Sequence, residues 1–315
     1  MRSRCRAVLR SYTKVMHRAF LLLASVTLFS ACPSGQNSTT DTGNRITILY
    51  DAFTDKTELT SDWGYAALAE FEGKRILFDT GNNAAVFEAS VKRLRIDLTR
   101  LDLVVISHRH GDHTSGLRYV LSVSPRVPVY APADESFQYV TPAAFLTQSA
   151  DANLPSKMRY FGGKVPSSPP SHGNAWPGVQ FRHVVGMQEI TPKIRLVGTL
   201  SETPGFRDMP EVSLVLDTAR GPIVVVGCSH PGIENILSNV TQQTHRAEVF
   251  EVIGGMHLLL STPAQIDHVV SELVDRYHVQ RVAPGHCTGE HVFAVFEKRF
   301  GKEYLYAGVG EVVKP

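Results

Sequence analysis

With 315 residues, of which 43% are hydrophobic and 20% charged, the chain is long enough to bury a large core and has an ordinary globular composition. The net charge of +2 depends on six cations that precede the first acidic residue: Arg2, Arg4, Arg6, Arg10, Lys14 and Arg18. Without them the net charge is about −4, which excludes the basic surface that nucleic-acid binding requires.

The first 31 residues have the pattern of a secretory leader. The basic start is followed by AFLLLASVTLFSAC, an apolar run that is short for a bilayer span and ends in small residues before Cys32. This ending resembles the lipobox of bacterial lipoproteins, although Phe29 stands where leucine is usual. We predict a signal peptide over residues 1–31, lipidation of Cys32, a flexible tether over 32–44 and a folded domain over 45–315. An uncleaved anchor and a start at Met16 are alternatives.

This interpretation predicts an exported lipoprotein that is anchored to the membrane on the periplasmic side of the bacterial envelope. The mature chain then keeps only Cys228 and Cys287 besides the lipidated cysteine. Two thiols do not make a disulfide scaffold.

Strand-like runs and amphipathic helical runs follow one another from Arg45 onwards. The runs RITILYDA, YAALAEF, KRILFDT and DLVVISH predict an antiparallel sheet with an early helix in AAVFEASVKRL. Later strands are predicted in FRHVV, KIRLVGTL, VSLVLDT, PIVVVGC and EVFEVIGG, and later helices in PGIENILSNV and TPAQIDHVVSELVDRYH. Residues 162–178 are rich in Pro, Ser and Gly, which predicts a long surface loop.

The stretch SHRHGDHTSG carries a concentrated set of metal-binding side chains directly after a predicted strand. Its pattern H-x-H-x-D-H comprises His108, His110, Asp112 and His113. Side chains two apart on an extended strand end point the same way, and a turn at Gly111 brings the next pair back. Imidazole and carboxylate ligands suit zinc or another divalent transition metal. A solvated polar loop is the alternative.

Four other predicted strands also run into polar turns that contain candidate ligands. These turns carry Asp79, Cys228 with His230, His257, and His286. A sheet that delivers several such strand ends to one edge builds a single site there. We therefore predict a dinuclear metal centre.

The motifs ILFDTG, SHRHGDHTSGL, GCSHPGI, GGMHL and PGHCTG resemble the metallo-β-lactamase superfamily from Ile46 almost to the C-terminus. More narrowly, they resemble the branch of dihydropterin-ribofuranosyl-aminobenzene-phosphate synthase-like metal-dependent hydrolases. The resemblance implies an α/β fold, a four-layer αβ/βα sandwich in which two mixed sheets lie face to face with helices outside. It also implies two divalent metal ions, zinc in the first place, with iron or manganese as alternatives.

The resemblance also implies a role for each matching residue. His108 and His110 would bind the first metal, and Asp112, His113 and His286 the second. Phe206 stands where the superfamily has another histidine, and Cys228 stands where it has a bridging aspartate. A deprotonated thiol is a strong zinc ligand, and we predict that His230 replaces the missing histidine.

Several of these assignments have alternatives. Cys228 could be an inert buried thiol or form a disulfide with Cys287, and His230 could cap the helix that follows it. His257 could bind metal, contact substrate or be a plain turn residue, and Asp79 is expected to orient a ligand histidine. The remaining histidines of the mature chain lack a strand-end context and are interpreted as ordinary: His172, His183, His245, His268, His278 and His291.

The function that this centre predicts is hydrolysis by a metal-bound hydroxide, with Asp112 as the catalytic acid and base. The substrate would be a small molecule with an ester, lactone, amide or phosphoester bond, pterin-like or otherwise anionic. Trp63, Phe206 and Arg207 are candidates for an aromatic and cationic wall over the site. The alternatives are an iron-dependent redox or sulfur-oxidising enzyme of the same fold, and a lipid-tethered metal binder without catalysis.

Overall fold

Two mixed β-sheets make up the centre of the molecule. The computed structural model describes residues 43–134, 151–164, 176 and 179–315. The predicted signal peptide, Cys32 and almost all of the predicted tether lie outside the described residues, as does most of the loop over 162–178.

The first sheet has the strand order β13-β1-β2-β3-β4-β5-β6. Its strands are β1 (Arg45–Tyr50), β2 (Ala66–Phe71), β3 (Lys74–Phe78), β4 (Leu103–Val105), β5 (Val129–Pro132), β6 (Phe181–Val184) and β13 (Val312–Val313). The pairs from β13 to β3 are antiparallel, and those from β3 to β6 are parallel. The predicted antiparallel sheet is therefore wrong beyond β3, because the helix after β3 returns the chain so that β4 runs in the same direction.

The second sheet has the order β12-β11-β10-β9-β8-β7. Its strands are β7 (Met187–Thr191), β8 (Ile194–Leu200), β9 (Pro210–Thr218), β10 (Gly221–Val226), β11 (Glu251–Gly255) and β12 (Arg281–Gly285). Strands β7 to β10 are antiparallel, whereas β10, β11 and β12 are parallel.

Helices cover the outer face of each sheet. Among the described residues, the α-helices are α1 (Ala84–Arg93), α2 (Gly111–Thr114), α3 (Leu117–Val123), α4 (Ile233–Thr244), α5 (Pro263–Ser271) and α6 (Glu290–Phe300). A π-helical turn, Glu272–Arg276, extends α5. Short 3₁₀ turns span Leu98–Arg100, Ser156–Met158, Tyr160–Gly163, His286–Thr288 and Gly301–Glu303.

Local sequence explains where two of these helices begin. The Asn83 side chain accepts hydrogen bonds from the first backbone N–H groups of α1. Thr262 and Gln265 form a reciprocal capping box at the start of α5, with Pro263 in the first turn, where its missing N–H costs nothing.

The core has three apolar layers because the strands are buried on both faces. On β10, Ile223 and Val225 face the space between the sheets, while Val224 and Val226 pack under the helices of the second sheet. On the first sheet, Leu77 and Val104 pack under α1 and α3. The predicted four-layer arrangement of two mixed sheets with outer helices is confirmed.

No helix in the described part of the chain is both long and apolar enough to cross a membrane.

Candidate metal centre

The candidate ligands lie at one edge of the sandwich, where parallel strands of both sheets end. The backbone N–H of Val212 in β9 donates to the carbonyl of Ser107, 2.7 Å away, and so joins the two sheets beside β4. Gly227 permits this close approach, because a Cβ there would lie 2.2 Å from the Ser107 hydroxyl and 3.0 Å from the Asp79 carboxylate. The sheets can therefore bring their strand ends into one site.

The turns at these strand ends use left-handed backbone conformations at non-glycine residues. Asp79, Ser229, His257 and His286 have φ values of 57°, 65°, 49° and 46°. Such conformations are sparsely populated by non-glycine residues and cluster at functional sites. Here they reverse the chain directly after β3, β10, β11 and β12.

One group of candidate ligands consists of three buried histidines. The ring nitrogens of His108, His110 and His230 lie within 4.8 Å of one another. Nε2 of His230 is 3.1 Å from Nδ1 of His110. The structure thus places His230 beside the first two histidines of the motif, with its ring turned into the centre.

A second group consists of Asp112, His113 and His286. Nε2 of His113 is 3.2 Å from Nε2 of His286. The carboxylate of Asp112 lies 3.8 Å from the first of these nitrogens and 3.5 Å from the second. All three side chains are buried.

Cys228 lies between the two groups. Its sulfur is 3.2 Å from Nε2 of His113, and it forms a potential metal site with His108 and His113. It also belongs to potential sites with His230 and His257, and with His286 and Cys287. Both cysteines are free thiols in this structure.

Asp79 orients two of the histidines. Its carboxylate accepts the Nδ1–H of His113 at 2.7 Å and the hydroxyl of Ser107 at 2.7 Å. That hydroxyl in turn accepts the Nδ1–H of His108 at 2.8 Å. Both histidines are thereby oriented so that Nε2 is the nitrogen available to a metal, which in His113 requires the loss of a proton.

Two further buried carboxylates support the centre and were not predicted. Asp51 accepts the backbone N–H of His286, at 3.2 and 3.0 Å from its two oxygens. Glu211 accepts three backbone N–H groups from residues 228–230. The only local signal was an acidic residue inside or directly after an apolar strand run, LYDA for Asp51 and PEVSLVL for Glu211.

Burial controls the protonation of the centre. It lowers the pKa of His108, His110, His230 and His286, and the neighbouring histidines lower it further, so these rings are neutral at pH 7. Burial also lowers the pKa of His113, but the charges of Asp79 and Asp112 outweigh it and raise that pKa to about 9.

Asp112 and Cys228 are pushed towards their neutral forms. Burial raises the pKa of the Asp112 carboxyl and, with the adjacent Cys287 and Asp112, that of the Cys228 thiol. A bound cation would reverse this, since it favours the thiolate and the carboxylate.

The donor set fits divalent cations. Among the described residues, Nε2 of His108 is buried without a hydrogen-bond partner, while its other ring nitrogen is held by the Ser107 hydroxyl. Buried polar atoms normally have partners, and a nitrogen with a free lone pair can be satisfied by a metal ion. The set of neutral imidazoles, one carboxylate and one thiol can bind zinc, iron or manganese, although each metal prefers a different combination of these ligands.

The structure places only part of the predicted substrate wall over the centre. The Phe206 ring lies 4.2 Å from that of His230 and 5.0 Å from that of His257. Arg207 next to it is exposed. Trp63, in contrast, is 1% exposed and packs 4.9 Å from the ring of His286, so it lies behind the ligands instead of on an open surface.

His257 is half-buried, with its ring 4.3 Å from that of His230. His172 lies outside the described residues. The other histidines interpreted as ordinary contribute to none of the potential metal sites in the described part of the chain: His183, His245, His268, His278 and His291.

Comparison with known proteins supports the same picture. Residues 74–152 match the model of a beta-lactamase superfamily domain. A solved metal-dependent hydrolase of the beta-lactamase superfamily superposes with a TM-score of 0.62 and 26% identity over 86% of this chain and 99% of its own. Residues 74–152 are therefore similar to a beta-lactamase superfamily domain, and the described chain has the metallo-β-lactamase fold.

Two relatives refine this placement. A 7,8-dihydropterin-6-methyl-4-(beta-D-ribofuranosyl)-aminobenzene-5'-phosphate synthase from Methanocaldococcus jannaschii is 28% identical over 81% of this chain and 90% of its own length. A hydroxyacylglutathione hydrolase from Alkalilimnicola ehrlichii is 51% identical over 43 residues, 14% of this chain. The predicted resemblance of this metallo-β-lactamase-fold chain to the dihydropterin synthase branch is confirmed at the level of homology.

Proposed function

We propose that this chain is a metal-dependent hydrolase with a dinuclear centre, acting on an ester, lactone, amide or phosphoester bond of an anionic small molecule. The observation that carries the proposal is the convergence of five buried histidines, Asp112 and Cys228 at one edge of the sandwich. Their donor atoms form overlapping groups of three, each within 4.8 Å, although the residues follow strands of both sheets.

In this proposal His108, His110 and His230 hold the first ion, and Asp112, His113 and His286 hold the second. Cys228, which lies within reach of both groups, would serve as a thiolate ligand in place of an aspartate. Two divalent ions would supply a water of lowered pKa and would polarise the scissile bond.

Asp112 is the candidate acid and base. It is buried in the second group, 3.5 Å from Nε2 of His286, and burial raises its pKa. We propose that its carboxylate holds a proton of the attacking water and passes it to the leaving group.

The proposed substrate is anionic and at least partly planar. Phe206 presents a ring over His230 and His257, and exposed Arg207 follows it in the chain. Helix α4 begins directly after the turn that carries Cys228 and His230, and its positive end would favour an anion. A pterin-like molecule satisfies these features, as the name of the archaeal relative suggests.

Metal depletion and reconstitution test the proposal. The chelator-treated protein is assayed on a chromogenic phosphodiester, a lactone and a β-lactam, before and after addition of zinc, manganese or ferrous iron. We expect turnover of at least one class only after metal is restored. Metal-loaded protein that turns over none of them, or turnover that survives full depletion, would contradict the proposal.

We also propose that the protein is an exported lipoprotein on the periplasmic side of the envelope, from the basic leader and the small residues before Cys32. Cys32→Ser should move the protein from the membrane fraction to the soluble fraction of the host cell. Retention of both forms in the membrane would instead indicate an uncleaved anchor.

A further inference from the structure

The turn that presents Cys228 and His230 is closed by a single buried carboxylate. Oε1 of Glu211 accepts the backbone N–H of Cys228 at 2.9 Å and that of Ser229 at 2.7 Å. Oε2 accepts the backbone N–H of His230 at 2.9 Å. Glu211 lies on β9 and is 0% exposed, so no water competes for these hydrogen bonds.

The backbone conformation explains why one carboxylate can hold three consecutive residues. Ser229 is left-handed, with φ 65°, and this turns the N–H groups of its neighbours towards a common point. Such a concavity is a typical binding site for an external anion. Here the chain supplies the anion itself, from the adjacent strand.

Two hydroxyl groups fasten the same turn at other points. The Ser229 side chain donates to the carbonyl of Gly255 in β11 at 2.8 Å, and the side chain of Ser201, directly after β8, donates to the carbonyl of His230 at 3.0 Å. The carboxylate of Glu211 holds the backbone N–H groups of the turn. The side chains of two residues that it holds, Cys228 and His230, reach His113 and His110.

We propose that Glu211 is a positioning residue that sets the orientation of both Cys228 and His230 towards the metals. This inference rests on the proposed function. This positioning role can be distinguished from a general contribution to folding. It predicts that the metal affinity and the exposure of the Cys228 thiol change while the overall structure does not.

Glu211→Gln is the test, with Glu251→Gln as the matched control. Glutamine keeps the volume and one acceptor oxygen, but its amide nitrogen would face a backbone donor, so the turn loses at least one hydrogen bond. Glu251 is equally buried, lies at the opposite end of β11 from His257, and pairs with Arg281 at 2.8 and 2.6 Å. It controls for the loss of a buried carboxylate away from the centre.

The measurements are zinc affinity by chelator competition, the thiolate absorption band of the cobalt(II)-loaded protein, and alkylation of Cys228 in the metal-free protein, followed by peptide mass spectrometry. We expect Glu211→Gln to weaken zinc binding by about 10- to 100-fold, to alter the cobalt band and to speed alkylation. Glu251→Gln should leave all of these within about twofold of the wild type if it folds as the wild type does.

Wild-type zinc affinity and an unchanged alkylation rate in Glu211→Gln would overturn the inference. If that variant does not fold, Glu211→Asp replaces it, since the shorter side chain keeps the charge but cannot reach all three N–H groups; wild-type behaviour there would overturn the inference equally. A wild-type protein that binds no zinc would refute the proposed function instead, and alkylation of Cys228 would still decide the role of Glu211.

Discussion

The sulfur of Cys228 lies 3.2 Å from Nε2 of His113, although the two residues follow strands of different sheets of the sandwich. This contact joins the two groups of candidate ligands into one cluster. The thiol is therefore within reach of both groups.

Replacement of each cysteine by serine should show which of the two thiols binds metal. Cys228→Ser should weaken metal binding by at least about tenfold, because a serine hydroxyl is a far poorer zinc ligand than a thiolate. Cys287→Ser should bind metal normally, since that thiol donates to the carbonyl of Cys228, 3.6 Å away. Metal content after dialysis against a weak chelator measures both. Loss of metal in the Cys287 variant but not in the Cys228 variant would show that Cys287, and not Cys228, is the ligand.

Asp112→Asn should separate catalysis from metal binding. The amide keeps the size of the side chain but cannot accept a proton, so hydrolysis should fall by about a hundredfold or more in protein that still holds metal. Asp267→Asn, on the exposed face of α5, is the control and should be fully active. Turnover per bound metal gives the comparison, and an unchanged rate in the Asp112 variant would remove its assigned role.

Metal affinity should rise with pH because His113 must lose a proton to bind. Its pKa is raised to about 9, so the metal-free protein carries this proton at pH 7 and releases it on binding. The apparent affinity for zinc should therefore increase by at least about tenfold per pH unit up to about pH 9, and the proton that the Cys228 thiol must also lose keeps the affinity rising above that pH. Calorimetry in buffers of different ionisation enthalpy counts the released protons. A pH-independent affinity would contradict the protonated state of His113.

The same pKa has a consequence for the stability of the metal-free protein. The pKa of His113 is higher in the folded chain than in the unfolded chain, so binding of its proton stabilises the fold. This stabilisation is complete at pH values below about 6.5 and disappears as the pH rises through about 9. Denaturant unfolding of the metal-free protein at pH 6 and pH 9.5 should show it as a drop in the free energy of unfolding.

Much of the centre could be predicted because its ligands follow strands. His108, Cys228, His257 and His286 each come directly after an apolar run, and strand ends of parallel sheets meet at one edge, so sequence order was enough to group them. The four-layer fold was predicted from motif resemblance, and the helices α1, α4 and α5 from their apolar periodicity.

What could not be predicted depends on contacts between distant segments. The alternation of apolar and polar residues along a strand does not indicate in which direction the strand runs. The parallel pairing of β3 with β4 was therefore not predicted. Glu211 is an acidic residue within an apolar strand run. Only the tertiary structure shows that it accepts hydrogen bonds from three backbone N–H groups. Trp63 was predicted on the substrate wall because its loop was expected to lie over the site, but the indole is buried against the ring of His286.

The direct test of the central claim is metal analysis of the full chain purified without chelator, alongside His108→Ala and the control His268→Ala. His108 lies in the first group, whereas His268 is on the exposed face of α5. We expect about two divalent ions per chain in the wild type and the control, and a loss of at least one in His108→Ala with the fold preserved. A wild-type chain that retains no stoichiometric metal, or a His108 variant that retains the full complement, would contradict the dinuclear centre.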